Sequence, residues 1–331
     1  MHDIWNPWHG CRKVSEGCGR CYMFSNDRRR GLDPTEVRRS KTGFDYPLRH
    51  GRDGSLAVRP GELIRVCMNS DFFIEEADAW REEAWEIIRA RPDVRFFLLT
   101  KRPDRARACL PADWPGREGG RGGWPNVMLN VSCENQRRAN ERIPQLLDLP
   151  FAHLGVMCTP LIGAVSIAEA TAGVDGPAFG PAGIEQVVAG GENYEDPRPC
   201  DFDWIRSLRR ECETADVTFA FIETGSVFVK DGRTYHLPSK RFQSRQAFKS
   251  GMSRQGRRIE WQLRYPLGME VPAEELYRPS YGAHCSECGS RPICNGCAGC
   301  ASCMQRDRSM KPRPFLYTAP DTASAIANSP A

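Results

Sequence analysis

The chain has 331 residues, 46 of them Lys or Arg against 42 Asp or Glu, and it carries 15 cysteines. That length buries a sizeable core, which excludes the short secreted scaffold that depends on disulfide staples. The net charge of +4 is small, so the uneven placement of the basic residues says more than their sum.

Along the chain an apolar run repeatedly ends in polar or glycine residues, and a helical pattern follows. Residues 63–68 end in Asn69-Ser70-Asp71, after which Trp80, Ala84, Ile87 and Ile88 mark one helix face. Residues 94–99 end in Thr100-Lys101-Arg102, residues 127–131 in Ser132-Cys133-Glu134-Asn135, and residues 154–157 in Cys158-Thr159-Pro160. Residues 187–189 precede Gly190-Gly191-Glu192 and a helix with Trp204, Leu208 and Cys212 on one face; residues 217–222 precede Glu223-Thr224-Gly225. Six strands with crossover helices predict a parallel sheet. The expected fold is α/β, a complete or partial (β/α) TIM-type barrel, with a doubly wound open sheet as the alternative. Glycine- and proline-rich residues 111–125 and 172–183 read as inserted loops.

Residues 230–264 hold ten Lys or Arg against two acids, with Tyr235, Phe242, Phe248 and Trp261 interleaved. This shift sets a boundary near residue 226. The expected organisation is a barrel over 1–226, a basic and cysteine-rich region over 227–317, and a small, polar, disordered tail over 318–331. No run approaches the ~18 apolar residues of a membrane span, and Met1-His2-Asp3-Ile4-Trp5 opens without an apolar segment. We therefore expect a soluble, cytoplasmic protein with no membrane partner, in a reducing compartment where clustered cysteines bind metal or do redox chemistry.

Cys11, Cys18 and Cys21 have the spacing C-x6-C-x2-C in a glycine-rich setting. Thiolates ligate iron–sulfur clusters, and three of them leave one iron of a [4Fe-4S] cluster open to chelate S-adenosylmethionine. The alternative is a closed zinc knuckle completed by His9 or His2. A second group, Cys285, Cys288, Cys294, Cys297, Cys300 and Cys303, exceeds the four ligands of one zinc. Its last four approximate a ferredoxin run, and a second iron–sulfur cluster on four of the six is favoured over structural zinc. Cys67, Cys109, Cys133, Cys158, Cys200 and Cys212 read as buried small hydrophobes.

The blocks Trp5-Asn6-Pro7 with Gly10-Cys11, Gly17-Cys18, Cys21-Tyr22, residues 98–103, Trp124-Pro125-Asn126-Val127 and Val188-Ala189-Gly190-Gly191-Glu192 resemble a known family. It is the three-cysteine, radical S-adenosylmethionine (radical SAM)-like family of phage and bacterial proteins, a domain of unknown function, and the resemblance covers residues 4–226. It implies a barrel of the radical SAM kind with its cluster on the triad and Tyr22 near the adenine. It also implies a reducing partner of flavodoxin or ferredoxin type, and the host cytoplasm if the chain is phage-encoded. The commonest signature is C-x3-C-x2-C, so only the triad carries over directly. Gly190-Gly191-Glu192 resembles the element that grips the methionine amine, but on a late strand.

In a barrel, strand ends converge at the carboxyl face. Asn69, Ser70, Asp71, Lys101, Ser132, Glu134, Asn135, Gly190, Gly191 and Glu192 are therefore candidates, with Tyr22, for holding the cosubstrate; Ser70, Asp71 and Asn135 also read as helix caps. Lys240, Arg241, Arg257 and Arg258 are candidates for binding phosphates, which points to DNA or a nucleotide. The expected activity is reductive cleavage of S-adenosylmethionine and abstraction of a substrate hydrogen. The resemblance to phage proteins implies an isomerase-type rearrangement of a hypermodified thymine in DNA. A peptide, nucleotide or small metabolite is the alternative substrate, and a non-catalytic zinc-bearing nucleic-acid-binding protein is the alternative class.

Overall fold

A computed structural model describes residues 4–117, 122–278, 285 and 287–293. Its first strand, β1 (Ile4–Trp5), leads into the antiparallel pair β2 (Trp8–His9) and β3 (Arg38–Arg39), which brackets the first cysteine group and helix α1 (Tyr22–Arg29). The alternation follows: β4 (Leu63–Val66), α2 (Asp78–Arg89), β5 (Arg95–Thr100), α3 (Pro103–Ala106), β6 (Val127–Ser132), α4 (Gln136–Asp148), β7 (His153–Cys158) and α5 (Ile167–Ala170). The remaining elements are β8 (Ile184–Gly190), β9 (Cys200–Asp201), α6 (Phe202–Thr214), β10 (Thr218–Glu223), β11 (Val227–Lys230), β12 (Arg233–His236) and α7 (Lys240–Lys249).

Seven strands form one sheet in the order β1-β4-β5-β6-β7-β8-β10, and every neighbouring pair is parallel. The sheet curls into a half-barrel, compatible with a partial β/α barrel. All six apolar runs are strands of this sheet, and β1 is a seventh that two residues are too few to announce. Strand alternation sends one set of side chains outward, where Phe96, Leu129, Val156 and Phe219 pack with Ile88 of α2, Ile143 of α4 and Leu208 of α6. Each such fully buried side chain contributes about 1.5–3 kcal/mol.

The inner face is lined by Phe97, Met128, Met157, Val188 and Ala220, one from each successive strand. Ile259, Trp261 and Ile293 pack on it. Residues 253–277 act as a strap along the amino ends of the strands. Arg254 pairs with Phe219 of β10, Trp261 stacks on His153 of β7 at 4.5 Å, the Arg264 N–H reaches Pro92 O, and the Tyr277 N–H reaches Pro60 O ahead of β4. Beyond residue 226 the chain stays on this body, because β11 runs parallel to β9 through Phe228↔Cys200 and Val229↔Asp201. No helix among the described residues is long and apolar enough to cross a membrane.

Candidate metal and cosubstrate site

The cysteine loop begins where Gly10 takes φ +97°, a conformation that L side chains resist; a Cβ there would stand 2.2 Å from Glu36 O. From this turn the loop is tied down in sequence across the carboxyl ends of the strands. The Gly10 N–H donates to Asn69 O past β4, and Ser70 Oγ donates to Gly10 O. Arg102, past β5, donates to Arg12 O at 2.9 Å. Glu134, past β6, accepts the Gly17 N–H at 3.1 Å, and Arg198, past β8, donates to Glu16 O at 2.9 Å. Arg138 of α4 pairs with the Glu16 carboxylate at 2.8 Å. Cys21 then caps α1.

The Cys11 and Cys21 thiols are both shifted upward. Burial, then Asp71, and to a lesser degree Cys18 and Cys21, push the Cys11 thiol up to about 12. Burial likewise raises Cys21, against the pull of the Lys101 cation. Arg102, whose charge opposes the rise at Cys11, forms an ion pair with Asp71 at 3.1 Å. Among the described residues no three His, Cys, Asp or Glu side chains stand as a ready-made metal group. His9 contacts Asp27 at 2.6 Å, and His2 lies outside the described residues. The donor chemistry nonetheless suits an iron–sulfur cluster: three soft thiols lie on one glycine-bearing loop, and burial disfavours the thiolates of Cys11 and Cys21, which a cationic centre would deprotonate.

Several strand-end candidates are engaged in holding this arrangement together. Asp71 accepts from Thr100 Oγ1 at 2.7 Å and from the Lys101 N–H at 2.8 Å. Glu134 is paired with buried Arg142 at 2.9 Å, and Asn135 caps α4 by accepting the Arg138 N–H. Glu192 accepts the Arg198 N–H and its guanidinium, both at 2.9 Å. Asn69 turns its N–H to Asn6 Oδ1 at 3.1 Å. Gly190 ends β8 beside Glu223 of the parallel β10, and a Cβ on the next residue, Gly191, would meet Thr224 O at 2.4 Å. Lys101 Nζ donates to Ser132 Oγ at 3.1 Å on the inner side. Tyr22 donates to Met68 O, with its ring 6.0 Å from that of Tyr194.

The four phosphate-binding candidates are not gathered. Lys240 lies 3.4 Å from Glu223 at the carboxyl end of β10, whose charge raises the lysine's pKa. Arg241 follows it on α7, whereas the Arg257 N–H bonds Asp216 O before the amino end of β10, with Arg258 next to it. Cys285 and Cys288 are buried, and Cys288 Sγ is 3.5 Å from Ser244 Oγ of α7. Cys294, Cys297, Cys300 and Cys303 lie outside the described residues, as does the tail 318–331. The six single cysteines include five that are fully buried, with Cys109 half-buried.

Sequence reasoning missed Arg142, Arg198 and Tyr194. Arginines carry no periodic signal of their own, so nothing in the spacing announced Arg142 or Arg198. Asn193 also escaped notice; its Oδ1 is buried without a hydrogen-bond partner beside Glu192. The sequence model of a family described as a protein of unknown function (DUF5131) matches residues 1–264. No curated protein and no solved structure matches the chain.

Proposed function

The chain belongs to that family of proteins of unknown function (DUF5131), and we propose that it is a radical SAM enzyme with its cluster on Cys11, Cys18 and Cys21. What carries the reading is one observation: a three-thiol loop is fastened across the carboxyl ends of four strands of a parallel half-barrel, the face where such folds hold their chemistry. When bound, an open-iron cluster supplies one-electron cleavage of S-adenosylmethionine and, from it, removal of a substrate hydrogen atom.

The protein's own residues hold and screen. Cys11, Cys18 and Cys21 are the ligands, and the Lys101 and Arg102 cations offset the negative charge of thiolates. The unpartnered Asn193 Oδ1 offers an acceptor for an ammonium or ribose hydroxyl of the cosubstrate. Tyr22 and Tyr194 form an aromatic wall beside the thiols, suited to a purine ring. Ile293 and the inner apolar layer exclude water from the interior. A nucleotide-type substrate, such as a modified DNA base, is supported by Lys240 and Arg241 at the same end as the cysteine loop.

The test is anaerobic purification with iron and sulfide counts, followed by reduction with S-adenosylmethionine and assay for 5′-deoxyadenosine. Iron with cluster-dependent 5′-deoxyadenosine, lost in Cys18→Ala, is expected. Zinc without iron and no cleavage would overturn the reading in favour of a zinc-bearing nucleic-acid-binding protein.

A further inference from the structure

Residues 191–199, which join β8 to β9, form a loop with a closed neck and a tip held from outside. At the neck the buried Glu192 carboxylate accepts the Arg198 N–H and guanidinium, both at 2.9 Å. The tip, residues 193–197, lacks such support: among the described residues no backbone–backbone hydrogen bond reaches it. Glu195 and Asp196 take φ +48° and +54°, the left-handed region that L side chains resist. They are held there from across the site. Arg20 of the cysteine loop donates to Glu195 O at 2.9 Å and to Asp196 Oδ2 at 3.0 Å, and Arg28 of α1 donates to Glu195 Oε2 at 2.6 Å. Tyr194, just before these anchors, adjoins the thiol site. Burial, then Cys21 and Tyr194, push the Tyr22 hydroxyl up, while Glu223, and after it Tyr194, raise the pKa of Lys240 on α7. The tip therefore bridges from the cysteine loop towards α7.

From this arrangement we infer that residues 193–197 are a lid over the thiol site, latched by Arg20 and Arg28 and hinged at the Glu192–Arg198 neck. The inference rests on the reading above that the thiols mark the reaction centre, whichever metal they bind. The two attachments differ in strength. At the latch the side chains of Arg28, Glu195 and Asp196 are 48%, 43% and 96% exposed, so its ion pairs are individually weak and screened by salt. At the neck the Glu192 side chain is only 3% exposed, and parting a buried carboxylate from its arginine is costly. The latch therefore opens while the neck stays closed. Opening also lets Glu195 and Asp196 leave the left-handed region, which offsets part of the latch's hold. It carries Tyr194 away from Tyr22 and admits a ligand; closing restores the aromatic wall and excludes water.

The experiment compares the full wild-type chain with Arg28→Glu and Arg28→Lys by two readouts. One is the rate at which a glutamate-specific protease cuts after Glu195, followed by mass spectrometry; the other is the rate at which N-ethylmaleimide modifies Cys21 in the metal-free chain. We expect Arg28→Glu to be cut at Glu195 at least about 3-fold faster at low salt, with the gap closing as salt rises, and Arg28→Lys to behave as wild type. Cys21 modification should quicken in parallel. Unchanged cutting after the buried Glu134 shows that the fold is intact, and Arg28→Gln replaces Arg28→Glu if that control fails. Equal cutting at Glu195 in wild type and variant would overturn the latch. Faster cutting with Cys21 modification unchanged would overturn the lid, because the loop would then move without covering the thiols. Neither readout depends on the metal, so zinc in place of iron would sink the cluster reading alone.

Discussion

Glu134 shows how one carboxylate can be diverted from a ligand's service to the protein's own. It lies at a strand end where a cosubstrate would be gripped, yet its two oxygens are taken by the Gly17 N–H and by Arg142, both buried. Burial alone would raise its pKa; the Lys101 and Arg142 cations outweigh that and hold it below the ordinary value of 4.5. Because the folded value is depressed, the stability it contributes is complete above about pH 4.5 and is lost as pH falls through the lower folded value. Glu134→Gln should therefore flatten the stability curve between neutrality and acid, read by urea unfolding across that range. Glu134→Ala strands the Arg142 guanidinium and should cost about 3 kcal/mol at pH 7 in the same measurement. At this scale the sequence gives residue types and not their partners. Asp71, Glu134 and Glu192 look alike as acids at strand ends, and only the fold reveals that each already holds backbone amides or an arginine.

Among the elements, the chain just past β8 packs closely on the chain just past β10. Gly191 is pressed against Thr224 O and Gly225, so Gly191→Ala should shift β10 and destabilise the protein by more than about 1 kcal/mol, visible as a lowered Tm. The inner apolar layer depends on a segment with no regular structure: Trp261→Ala should cost about 2 kcal/mol through lost packing on His153 and the Phe97 layer, measured by chemical denaturation. The six long strands are legible because buried parallel strands read as unbroken apolar runs. The helix face Ala84, Ile87 and Ile88 is legible by its period, although Trp85, fully buried and 4.7 Å from Phe72, lies beside it unannounced. The strap is illegible for the opposite reason. Its hold comes from isolated bridges and single side chains, which leave no period to detect.

At the scale of the whole molecule, strand order and charge placement define two ends. The carboxyl end carries the thiols, Glu192 and Lys240; the amino end carries the strap and Arg257. Substitution of Lys240 and Arg241 by Gln should therefore weaken binding of a nucleotide-type substrate, while the same change at Arg257 and Arg258 should leave it unaltered. Parallel measurements of DNA affinity against salt for the two pairs decide this, and equal losses would refute the division. The expectation of an α/β parallel sheet holds at this scale, and its half-barrel curl is the detail that periodicity could not supply.

The sheet order also has a meaning in time. Each strand of this sheet pairs with the strand of the same sheet synthesised before it, so a nascent chain can build the sheet one strand after another as it leaves the ribosome. The strap comes about thirty residues after β10, and at about 5–20 residues per second its arrival lags by roughly 2–6 s. During that interval Phe97, Met128 and Met157 face solvent. A ribosome stalled before residue 253 should hold a chain that recruits chaperones through this uncovered apolar layer, and release of the full chain should end the association.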